Sequence, residues 1–66
     1  MKTLNLNFLR QERIRKGITL KTMANLLGLK TGANYYKYEV GIYDLKADML
    51  PLLARKLNCP IEKFFS

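Results

Sequence analysis

The stretch "ITLKTMANLLGLKTGANYYKYEVG", residues 18–41, holds two segments of helical length separated by a glycine-marked turn. Thr19 is a good N-cap, and Ile18 before it is placed to staple against Met23. Met23, Ala24 and Leu27 then make one apolar face, and Gly28 ends the segment. Thr31 is placed to cap a next helix over residues 31–40, which Gly41 closes. Within it Tyr35 and Tyr38 stand three apart and share a face, so both are expected to turn inward. Tyr36, Lys37 and Asn34 look elsewhere. Ala24, four residues before Gly28, is small enough to let the following helix approach closely and steeply. Two helices joined in this way form the pattern of a helix-turn-helix, whose second helix is presented to a DNA major groove.

Outward from this stretch, the remaining segments also have helical period. Residues 6–16 are charge-dense, with Leu6, Leu9, Arg13 and Lys16 on one face, Phe8 and Ile14 to the side, and Gly17 as the stop. Near the other end Leu50, Leu53, Ala54 and Leu57 recur at helical spacing. Pro51 is tolerated there in a first turn capped by Asp48, and Asn58 can take the left-handed position that ends the helix. A short fifth turn over residues 61–65 offers Ile61, Phe64 and Phe65 to a core. Strand-like alternation is absent, so the fold class is all-α with five helices in one domain, residues 1–66.

Composition narrows the function. The chain has 66 residues and carries 12 basic and 5 acidic side chains, a formal charge of +7 that favours an acidic partner such as nucleic acid. There is no histidine, so the commonest general base and metal ligand is missing. The carboxylates Glu12, Glu39, Asp44, Asp48 and Glu62 are scattered and suggest no acid–base pair. The expectation is therefore no enzyme, no metal and no cofactor. "GLKTG", residues 28–32, has a glycine spacing seen in phosphate loops, but no strand precedes it and no Gly-Lys-Ser/Thr completes it. Cys59 has no partner base and reads as a small hydrophobe at a helix end. The longest apolar run, "MLPLLA", is far shorter than a membrane span, and the start of the chain lacks the apolar core of a signal peptide, so a cytoplasmic location is expected. A membrane-surface helix at "FLRQERIRKG" is disfavoured because its charges ring the helix.

The chain resembles the phage-repressor and Cro-like (XRE-type) DNA-binding family. "ITLKTMANLLGL" is similar to that family's second helix and turn, "YYKYEVG" to the end of its recognition helix, and "LLARKLNCPIEKFF" to its last two helices. The resemblance covers about residues 6–65 and implies a five-helix, lambda-repressor-like domain in a phage or bacterial transcription regulator. It also implies a homodimer on a palindromic operator. By the same resemblance, Arg13 pairs with Glu39 to hold the recognition helix against the first. The base-reading positions fall on Gly32, Ala33, Asn34, Tyr36 and Lys37, and the phosphate clamps on Lys21, Lys30, Thr31 and Tyr43. An asparagine amide suits adenine, and a lysine suits guanine or a phosphate. For each lysine a solvated surface charge is the competing reading, and for Tyr36 it is packing on the helix before it.

The sequence departs from the family pattern at several places. Leu20 stands where a glutamine is common, Leu26 where a charge is usual, and Gly32 with Ala33 where long polar side chains often read bases. The turn before the recognition helix is also one residue longer than the commonest spacing. These departures leave open a second function, an antirepressor that binds another regulator protein. Its contact surface would be Leu20, Leu26, Leu29 and the Phe64–Phe65 pair. The ends of the last two helices, including Phe65, are the expected dimer contact.

Overall fold

In the computed structural model, which describes residues 3–65, four α-helices enclose one small core. They are α1 (Leu6–Arg15), α2 (Leu20–Leu26), α3 (Gly32–Glu39) and α4 (Leu50–Leu57). Single 3₁₀ turns lie at Ala47–Met49 and Ile61–Phe64. The expected fifth helix is thus the second of these turns. Four residues between Pro60 and an extended Phe65 leave no room for the hydrogen-bond ladder of an α-helix.

Side chains set the beginnings of three helices. Asn5 Oδ1 accepts from the Phe8 N–H at 3.0 Å, Thr19 Oγ1 from the Thr22 N–H at 3.1 Å, and Thr31 Oγ1 from the Asn34 N–H at 3.1 Å. The fourth start differs from expectation. Asp48 lies inside the Ala47–Met49 turn and caps nothing, and α4 begins without a side-chain cap. The 3₁₀ turn runs straight into α4 with Met49 already helical, so no extended residue is left to act as a cap. Pro51 does fall in the first turn of α4.

All four helices end in one hydrogen-bond motif. At the end of α2 the Leu29 N–H donates to the Ala24 carbonyl at 2.8 Å and the Gly28 N–H to the Asn25 carbonyl at 3.2 Å. This is the Schellman arrangement, which needs a left-handed residue; Gly28 supplies it with φ +73°. The same pair of bonds recurs around Gly17, Gly41 and Asn58. An apolar residue follows the left-handed one each time. Ile18, Leu29 and Cys59 pack on the core, whereas Ile42 stays 66% exposed.

The core comprises Leu9, Met23, Ala24, Tyr35, Leu53, Leu57 and Phe64, with Phe8, Ile18, Leu27, Ile61 and Phe65 among the half-buried residues against it. Ile18 and Met23 share this cluster, as the staple requires. Phe8 meets Phe64 with ring centroids 6.2 Å apart. Tyr38, expected inside, is only half-buried and stacks edge-on against Tyr43, with centroids 5.3 Å apart. Its place in the inner face is taken by Glu39, which follows Tyr35 by four residues and is buried with it.

The two ends of the described chain are tied together. The Asn5 N–H donates to the Phe64 carbonyl at 2.6 Å, and Leu4 forms an isolated antiparallel bridge with Phe65. Phe64 is fully buried and Phe65 half-buried in this closure. The Phe64–Phe65 pair is therefore internal, and the expectation that it forms an outer contact surface is corrected. Leu20, Leu26 and Leu29 are likewise half-buried against the core rather than displayed. Among the described residues, no helix is long and apolar enough to cross a membrane.

Candidate nucleic-acid interface

The turn between α2 and α3 brings their N-terminal ends together. Gly32 opens α3 so close to the first turn of α2 that a Cβ on it would lie 3.2 Å from Leu20 Cβ and 3.2 Å from the Lys21 nitrogen. Only glycine enters at that distance without displacing its neighbours. The Gly32 position is thus consumed by helix–helix contact, and no side chain there could extend toward a ligand. The Schellman bonds at Gly28 fix the direction in which the chain leaves α2, and the Thr31 cap fixes where α3 begins.

Burial of Tyr35 and Glu39 sets the rotation of α3. Ala33, Asn34 and Lys37, three and four residues apart, then occupy the opposite side. Ala33 is exposed, and Asn34 and Lys37 are half-exposed. Tyr36 is exposed on the flank. Lys21, Lys30 and Thr31 are exposed around the α2–α3 turn.

An ion pair holds this helix in place. Arg13 on α1 donates two hydrogen bonds to Glu39, from Nε at 2.9 Å and from Nη2 at 3.1 Å. Its Nη1 donates a third, at 2.8 Å, to the Ile18 carbonyl in the α1–α2 link. The Glu39 side chain is fully buried and that of Arg13 is 11% exposed, so the guanidinium fork is the buried carboxylate's necessary partner. Tyr35 belongs to the same group. Burial, then the charge of Glu39 and a hydrogen bond to it, push the Tyr35 phenol above its ordinary value of 10, and Arg13 opposes this only partly.

The electrostatics of this face are one-sided. No acidic residue occurs between Glu12 and Glu39. Glu39 is neutralised by Arg13. Glu12 is engaged by Arg15 at 2.8 Å and by Lys16 at 3.8 Å, and the hydrogen bond from Arg15 holds its carboxyl below the ordinary value. Lys21, Lys30 and Lys37 have no carboxylate partner among the described residues. An unpaired lysine keeps its charge available to an outside anion.

Two features escaped the sequence reading. Tyr43 does not stand alone near the phosphate clamps: its ring lies under the Lys37 ammonium, 5.5 Å from Nζ to the centroid, with Tyr38 against its edge. The signal was present, because a left-handed glycine at position 41 folds the chain back over the last turn of α3. Lys16 donates to the Leu57 carbonyl at the end of α4. That contact joins residues far apart in the chain, and no local pattern marks it.

A helix-turn-helix packed on α1 and α4, with an acid-free outer face on its second helix, defines a DNA-binding domain by its form. A model of the helix-turn-helix family matches residues 9–64. The chain belongs to that family, the Cro-like (XRE-type) helix-turn-helix proteins, which are DNA-binding transcription regulators. Comparison with curated proteins finds no match. Comparison with solved structures finds none either.

Proposed function

We propose that this protein is a sequence-specific double-stranded DNA-binding repressor of the Cro type, acting in the cytoplasm. It seats α3, about residues 31–40, in the major groove. The observation that carries this reading is the outer side of α3: Ala33, Asn34 and Lys37 stand opposite buried Tyr35 and Glu39, beside unpaired Lys21 and Lys30. In this reading Asn34 and Lys37 address base edges, with Tyr36 beside them and Ala33 small enough to let the helix approach. Gly32 contributes backbone only. Lys21, Lys30, Thr31 and Tyr43 take the flanking phosphates.

Size supports two copies. The longest dimension of the domain is 32 Å, close to the roughly 34 Å that separates successive major-groove faces on one side of DNA. One copy covers one half-site, and a homodimer matches a palindromic operator.

The test is selection from random duplexes at two salt concentrations, followed by titration of the winning sequence. One related set of sequences should be enriched, and affinity should fall steeply with salt as counterions are released. Salt-insensitive binding, or no enrichment, would defeat the proposal. A regulator protein retained through an apolar contact would then point to the antirepressor role instead.

A further inference from the structure

Lys37 is held differently from the other cations of this face. Its ammonium lies over the face of the Tyr43 ring, at 5.5 Å from the centroid. The ring is braced in turn by Tyr38, edge-on at 5.3 Å with an interplanar angle of 68°. The backbone beneath is also closed on Lys37 itself. The Ile42 and Tyr43 N–H groups both donate to the Lys37 carbonyl, at 2.8 Å and 3.1 Å. The loop that carries Tyr43 is therefore fastened to the same residue whose side chain the ring receives.

We infer that Tyr43 is a positioning residue for Lys37 and sets the sequence specificity of the recognition helix. This rests on the DNA-reading role proposed above. A lysine is a compact charge on a flexible four-carbon stem, and left free it reaches any phosphate nearby. Attraction to the ring face restricts the stem and leaves ammonium hydrogens free to donate. The charge is unchanged, so binding to arbitrary DNA, which counts charges, is unaffected. What changes is where the ammonium is held when α3 enters the groove. A fixed donor discriminates between base edges, whereas a mobile one does not. Tyr43 thereby acts through Lys37 as well as on its own account.

The experiment compares Tyr43→Phe, Tyr43→Leu and Lys37→Met with the wild type, using the duplex enriched by selection and a scrambled duplex of equal length. Tyr43→Phe keeps the ring and should keep the ratio of specific to non-specific affinity. Tyr43→Leu should lower that ratio about 2- to 5-fold, the range of an exposed cation–π contact, with non-specific affinity and the salt slope at their wild-type values. In the Lys37→Met background Tyr43→Leu should have no further effect on the ratio. A readout without DNA is the ring-current shift of the Lys37 ε-methylene protons, which should persist in Tyr43→Phe and vanish in Tyr43→Leu. The inference is overturned if Tyr43→Leu leaves the ratio unchanged, or lowers it equally with and without Lys37. It is also overturned if the wild-type protons show no shift. Should the wild type show the shift yet select no duplex, the DNA-reading role itself fails and takes this inference with it.

Discussion

Replacing Glu39 by alanine isolates the contact that fixes the recognition helix. The carboxylate is fully buried and takes two hydrogen bonds from Arg13, at 2.9 and 3.1 Å. Its removal leaves the guanidinium largely buried with only the Ile18 carbonyl as a strong acceptor, and deprives the Tyr35 hydroxyl of its partner. Breaking a buried pair by deleting one member costs about 3–5 kcal/mol. A domain of 66 residues has only about 3–10 kcal/mol of total stability, at roughly 0.05–0.15 kcal/mol per residue. Glu39→Ala should therefore lower Tm by at least about 12 °C, at 4–8 °C for each kcal/mol. Thermal and urea unfolding followed by circular dichroism will measure it. The double variant Arg13→Met with Glu39→Leu, which removes both charges, should recover much of the loss. A Glu39→Ala protein melting within about 2 °C of wild type would refute the reasoning, because no buried, unpaired charge can be that cheap.

The remaining predictions address the site and its frame. Asn34→Ala should lose about 1–3 kcal/mol of discrimination at one base pair in competition titrations, with Tm little changed. Lys21→Ala should weaken binding to all duplexes alike and flatten the salt slope by about one unit. Gly28→Ala should destabilise by about 1–2 kcal/mol through strain alone, since φ is +73° and nothing lies within 4 Å of the added methyl. The Tyr35 phenol is raised above 10, so the folded state holds that proton more tightly than the unfolded chain. This stability is fully present below pH 10 and is lost as pH rises past it. Wild-type Tm should therefore fall above pH 10 more steeply than that of Tyr35→Phe in melts across that range.

Local chemistry alone determined much of this protein. The caps at Thr19 and Thr31, the glycine stops and the left-handed Asn58 were readable because each depends on a few neighbouring residues. The inward turn of Tyr35 and the pairing of Arg13 with Glu39 were also legible, the first from helical period and the second from family resemblance. Tertiary structure decided what lay at equal odds locally. Tyr38 and Glu39 both border the inner face of α3, and the buried partner waiting on α1 drew in Glu39 and left Tyr38 to Tyr43. Asp48 had the right chemistry for a cap, but a 3₁₀ turn continuous with α4 left it no helix end to serve. Phe65 could have faced outward until the chain's two ends met at the Leu4–Phe65 bridge. The seating of Lys37 over Tyr43 depends on a reversal at Gly41 and on the Tyr38 ring together. Periodicity records which side of a helix is apolar. Which neighbour comes to cover the border positions is a property of the packed whole, and a one-dimensional pattern does not contain it.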